Sequence, residues 1–117
     1  MSEVEATRSV VRKHHQAWSN GRFEEAFSCL APSLVVEVPI NAYPRVVHDA
    51  VRQVAHIVRS VDTLCELAGA GEAMVLYDLE LTGLGALRVV EHFTVEGGFI
   101  TRVRQIHDTM LFRAGAR

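Results

Sequence analysis

Apolar residues recur along the first fifth of the chain with helical period. Val10, Val11, His14, Ala17 and Trp18 fall on one stripe, behind a Ser2-Glu3-Val4-Glu5 segment of capping-box form, and Asn20-Gly21 stops the pattern. This predicts a first helix. A second, from Arg22 to about Ala31, follows from the stripe of Phe23, Ala26, Phe27 and Leu30, with Pro32 just past its end. Leu34 to Val38 is β-branched and closed by Pro39, so it reads as a short strand, after which Asn41 to Arg45 is loop. From Val46 to about Arg59 the 3.6-residue repeat returns and predicts a third helix.

Beyond that point the period becomes two. Val61 to Ala68, Ala73 to Leu81, Leu87 to Val95 and Phe99 to Leu111 are predicted strands, punctuated by Gly69-Ala-Gly71, Gly83-Leu-Gly85 and Gly97-Gly98 as hairpin turns. The expected fold class is therefore α+β: a cone-shaped barrel in which three N-terminal helices pack on a curved, mainly antiparallel sheet. At 117 residues and 49% apolar content, the chain predicts one domain over 1–117, large enough for a core of its own.

Alternation sends Glu91 to the same strand face as Leu87, Val89, Phe93 and Val95, and sends Gln105 and His107 to the face of Val103. Polar groups on apolar faces need partners, which points to a pocket. His14 lies inside the apolar stripe of the first helix, either as a core histidine bonded to backbone or as a pocket donor or base. Glu91 has two readings as well: an interior hydrogen bond, or a carboxyl kept protonated for chemistry. From Met74 to Glu80 parity leaves two faces open, Val75, Tyr77 and Leu79 on one and Met74, Leu76, Asp78 and Glu80 on the other; the ring and hydroxyl of Tyr77 favour the first as the inward one, as a pocket group or a core tyrosine. Trp18 and Tyr43 are candidate pocket walls or ordinary packing.

Charge changes the picture by exclusion. The net charge of -2, from 14 acidic and 12 basic residues mixed along the chain, shows no footprint for nucleic acid. No stretch approaches the ~20 apolar residues of a membrane span, so a cytoplasmic protein is expected. Cys29 and Cys65 lack CxxC spacing and read as reduced, small buried hydrophobes. The histidines show no metal-ligand spacing, Gly83-Leu-Gly85 is no dinucleotide fingerprint, and no serine or cysteine nucleophile has a positioned base. Neither a metal nor a cofactor is expected.

The element order, with the segments Ala17-Trp-Ser-Asn-Gly-Arg-Phe-Glu-Glu-Ala26, Val36-Glu-Val-Pro39 and His92-Phe-Thr-Val-Glu-Gly-Gly-Phe-Ile-Thr-Arg102, resembles the SnoaL-like branch of the nuclear-transport-factor-2-like superfamily. The resemblance implies a pocket between helices and concave sheet, and a homodimer. Against the ketosteroid isomerases of that superfamily, the general-base aspartate falls at Val38, which cannot move a proton. The oxyanion-hole tyrosine falls at His14, the protonated aspartic acid near Glu91, and the aromatic residue of the last strand near His107.

The expectation is thus a pocket for a small apolar or carbonyl-bearing molecule. Its catalytic candidates are His14, Glu91 and His107, and its ligand-binding candidates are Trp18, Tyr43, Tyr77, Phe93 and Gln105. A reading from another class stands beside it: a non-catalytic dimeric module whose interior is filled by side chains and whose sheet serves protein association. The face of Arg102, Arg104 and Ile106 is either solvated or a dimer surface, the second being favoured.

Overall fold

The computed structural model describes residues 2–38 and 55–108. Helix α1 runs from Glu3 to Ser19, and its capping box is complete: Glu5 N–H donates to Ser2 Oγ, and the Glu5 carboxylate accepts from Ser2 N–H. Helix α2 covers only Phe23–Phe27. The strands are β1 (Leu30–Glu37), β2 (Val58–Ala68), β3 (Glu72–Leu81), β4 (Gly85–Glu96) and β5 (Phe99–His107).

They form one five-stranded sheet in the order β1-β5-β4-β3-β2. The last four strands are an antiparallel meander, while β1 runs parallel to β5 at one edge. Gly97 and Gly98 both hold positive φ, 58° and 83°, which is the backbone that a tight turn between right-twisted strands requires.

Packing follows from the alternation. Val75, Tyr77, Leu79 and Leu81 of β3 face inward with Leu87, Val89 and Phe93 of β4 and with Ile100 and Val103 of β5. Helix α1 covers this face, presenting Thr7, Val11, His14, His15 and Ala17 to it. Ile100 and Val103 both reach the core although they are three apart. A register shift at Thr94/Val95 sets two residues of β5 against one step of β4, and so restores the parity.

Three expectations change. The second helix ends before Ala31, because Leu30 leaves it to pair with Ile100, and Ile100 N–H donates to Cys29 O at 2.8 Å. Sheet pairing outweighs the continuing apolar stripe there. Of the expected third helix, Ala55 is helical, His56 and Ile57 form a turn and Val58 and Arg59 begin β2 instead, while its part over 46–54 lies outside the described residues. Cys29 is buried in the turn after α2, whereas Cys65 is exposed on the edge strand β2, where a register shift between Thr63 and Cys65 disturbs the pairing with β3. Residues 109–111 of the expected last strand also lie outside the described residues.

Candidate functional site

The inner face of the sheet carries polar groups in two adjacent cross-strand rows. Tyr77 lies opposite Val89, which lies opposite His107; Val75 lies opposite Glu91, which lies opposite Gln105. Tyr77 and Glu91 are therefore diagonal neighbours, a spacing that long side chains span. The Tyr77 hydroxyl donates to Glu91 Oε1 at 2.6 Å, and Gln105 hydrogen-bonds the same carboxyl.

Tyr77 is 1% exposed and Glu91 6%. Burial raises the Glu91 carboxyl above the ordinary carboxylate range, and the two hydrogen bonds oppose that rise without cancelling it. An acid in this position retains its proton more readily than one in water.

Three imidazoles are buried beside the core: His14, His15 and His107. His14 is buried, its Nδ1 donates to Ala26 O at 2.9 Å, and its ring stands edge-on to Phe93 at 5.9 Å between centroids. A carbonyl only accepts, so Nδ1 carries the hydrogen and Nε2 is the basic nitrogen. Burial lowers the His14 pKa, partly offset by the Ala26 bond. His107 is buried at the end of β5, with Nδ1 3.0 Å from Asp108 O.

His15, which the sequence reading passed over, touches the cluster directly. It is 2% exposed, its Nε2 lies 2.8 Å from Thr63 Oγ1, and its ring is 4.8 Å from that of Tyr77 and 5.7 Å from that of Trp18. Its Nδ1 is buried with no hydrogen-bond partner. Burial, followed by the neighbouring His14, lowers its pKa to about 4, against a smaller opposing pull from Glu66. His15 is therefore neutral at physiological pH. A signal for it was present in the sequence, because it follows Val11 by four residues on the buried arc of α1.

Of the sequence candidates, Tyr77, Glu91 and Gln105 come together through hydrogen bonds. Trp18, half-buried, meets Tyr77 at 5.9 Å, and Phe93 lies on the Glu91 face, 0% exposed, against His14. His14 itself approaches Phe93 and α2 rather than the carboxyl. Tyr43 lies outside the described residues. Among the described residues no cluster of histidine, cysteine and carboxylate side chains has metal-binding geometry.

By sequence, no family model and no curated protein matches the chain. Solved structures do. A protein of Kribbella flavida DSM 17836 superposes with a TM-score of 0.83 at 25% identity, over 95% of this chain and 93% of the other. A nuclear-transport-factor-2-like protein of unknown function from Cytophaga hutchinsonii ATCC 33406 gives 0.74 at 15% identity, over 95% of both chains. The fold is that of the nuclear-transport-factor-2-like proteins. A proposed ketosteroid isomerase of Kribbella flavida DSM 17836 shares it, with a TM-score of 0.75 at 22% identity over 92% of this chain and 82% of its own. In this fold the covered face of the curved sheet holds the Tyr77–Glu91–Gln105 cluster, and no helix among the described residues is long and apolar enough to cross a membrane.

Proposed function

We propose that this chain is a cytoplasmic, SnoaL-like domain that binds a small apolar or carbonyl-bearing molecule against the inner face of its sheet and carries out acid-base chemistry on it. The observation that carries the reading is Glu91, a carboxyl set among Val75, Val89 and Phe93 with Tyr77 and Gln105 as its partners. Evolution has no packing reason to place an acid there, since a leucine would fill the space without the desolvation cost.

In this reading Glu91 is the hydrogen-bond donor. Tyr77 and Gln105 already address the carboxyl, so the O–H of its protonated form is left to meet an oxygen on which negative charge develops. His14 and His107 are the proton-exchanging groups, because an imidazole whose Nδ1–H is bound to a backbone carbonyl presents a basic Nε2. Trp18, Tyr77 and Phe93 supply the apolar wall, and Tyr43 is assigned to the same wall. The likeness to a proposed ketosteroid isomerase supports a carbonyl-bearing substrate class. With Val38 where that family's base would fall, the base in this chain is an imidazole. No metal or organic cofactor enters the scheme, and nucleic acid and membrane are not its partners.

Thermal unfolding in the presence of apolar ketones and lactones tests the proposal. Bound compounds raise the midpoint with the logarithm of their concentration, and Glu91→Gln reduces the shift for carbonyl-bearing hits. Identical shifts for wild type and Glu91→Gln with every hit remove Glu91 from the site.

A second observation favours homodimerisation. On the outer face of the sheet, Leu76, Val90 and Ile106 form a cross-strand apolar row, and Ile106 is 67% exposed. Ion pairs flank it, Arg88 with Asp78 and Arg104 with Glu37. An apolar strip with a charged border is the surface composition of a protein interface, and it equally serves the non-catalytic, dimeric module considered above.

A further inference from the structure

The side of α1 turned away from the sheet forms, with the start of α2, an open groove of about 390 Å³. Arg8, Arg12 and Lys13 line it from α1 together with Glu5, and Arg22, at the N-cap of α2, and Glu25 line it from the other side. Elsewhere in the described residues Arg59 pairs with Glu80, Arg88 with Asp78 and Arg104 with Glu37, while Arg102, on β5, stands apart from any such pair. Arg8 and Lys13 have no carboxylate partner among the described residues, and both are exposed.

The two remaining arginines are held in place. Arg12 donates through Nε and Nη2 to one oxygen of Glu66, at 2.9 and 2.7 Å, which fixes the guanidinium and leaves its Nη1 side for another acceptor. Arg22 donates through Nε to Glu25 at 2.8 Å. Fixed guanidinium forks lose less side-chain entropy on meeting an anion than mobile ones do, and forked donors match phosphate oxygens. Arg8 and Arg12, four apart, are neighbours on one helix face, while Lys13 is turned about 100° round the helix from Arg12 and borders the groove from its other side.

The geometry points to a binding site on this groove for a small molecule carrying several phosphate groups. Two unpaired cations, Arg8 and Lys13, and two tethered arginines, Arg12 and Arg22, outnumber the two carboxylates of the lining, Glu5 and Glu25, and the volume is that of a small-molecule site. The site lies on the opposite side of α1 from Glu91, so it stands or falls independently of the function proposed above. Its ligand is recognised by phosphate charge, whether that comes from inorganic polyphosphate or from a nucleoside triphosphate.

Amide NMR titration of the labelled protein at low ionic strength, with inorganic phosphate, inorganic triphosphate and ATP as probes, tests this. Saturable shifts are expected in residues 8–16 and at Arg22, with triphosphate binding at least tenfold more tightly than monophosphate and with added salt weakening both. Equal affinity for triphosphate and ATP assigns recognition to the phosphates; tighter ATP binding adds a nucleoside contact to the same groove. The variant Arg8→Gln/Lys13→Gln, exposed at both positions, is expected to weaken triphosphate at least tenfold, and Arg102→Gln to leave it unchanged. The absence of saturable shifts, shifts centred elsewhere, or equal weakening by Arg102→Gln overturns the proposal.

Discussion

Tyr77 and Glu91 are joined by a 2.6 Å hydrogen bond on the buried face of the sheet, one from β3 and one from β4. Removing one partner of such a pair leaves the other inadequately solvated, whereas removing both leaves an apolar face. Tyr77→Phe is therefore expected to cost about 1–3 kcal/mol. The double variant Tyr77→Phe/Glu91→Leu should be more stable than the sum of its single variants, by a coupling of roughly 0.5–3 kcal/mol. Urea unfolding of the four proteins measures this, and strict additivity would contradict a direct bond.

The histidines of α1 impose an acid limit on stability. His15 titrates at about 4 in the folded protein and near 6.5 in the unfolded chain, so as pH falls below 6.5 the unfolded chain takes up a proton first. Stability should drop between pH 6.5 and about 4 and then level off for this group, by a total on the order of 3 kcal/mol, with His14 acting in the same direction. His15→Phe should flatten the pH dependence over that interval, measured as the denaturation midpoint at each pH. A slope unchanged in the variant would mean that His15 is not the titrating group.

Glu91 acts in the opposite sense. Its folded pKa is raised, so the unfolded chain loses its proton first as pH climbs above about 4.5, and the folded state is penalised from there up through the folded pKa. Glu91→Gln, which cannot ionise, should gain stability relative to wild type as pH rises through that window. Comparing the two proteins by thermal unfolding from pH 4 to 8 is the check, and parallel curves would show that Glu91 does not retain its proton.

How far these features can be read from the sequence depends on how local their causes are. The capping box of Ser2 and Glu5, the glycine turns and the alternation around Glu91, Tyr77 and Gln105 are local signals, and the structure follows them. The end of α2 is not local: Phe23, Ala26, Phe27 and Leu30 continue a helical stripe, yet Leu30 is drawn off by Ile100, seventy residues further along the chain. The parallel β1–β5 pairing is likewise a tertiary choice. His15 lies just beside the stripe that Val10, Val11, His14, Ala17 and Trp18 define, whereas the sheet buries a wider arc of α1 that takes it in. Cys65 reads from its residue type as a small buried hydrophobe, and nothing local reveals that β2 is an edge strand with irregular pairing.

Phe93 joins the core to the candidate site: it is fully buried, two residues along β4 from Glu91, with its ring against His14. Phe93→Ala should cost about 3–5 kcal/mol through lost burial and the cavity left behind. Phe93→Leu, closer in volume, should cost much less while still releasing the His14 ring from its edge-on contact. If His14 is the proposed base, Phe93→Leu should shift the pH profile of any ligand binding that involves it. A large loss of stability in Phe93→Leu would instead show that the packing, not the imidazole, depends on this ring.

The outer face yields a prediction about assembly. Leu76, Val90 and Ile106 sit side by side across β3, β4 and β5, and water meets most of Ile106 in the single chain. If a second copy covers this row, light scattering should give twice the 13.0 kDa chain mass. Ile106→Glu would then place a carboxylate, and its symmetry mate, within an apolar contact, and the protein should run as a monomer. Because position 106 is exposed in the isolated chain, the change should cost the monomer's own fold within about 0.5 kcal/mol. Circular dichroism can therefore separate loss of association from loss of structure. A wild-type monomer at micromolar concentration would remove the dimer, and a variant that still dimerises would assign the contact to another surface.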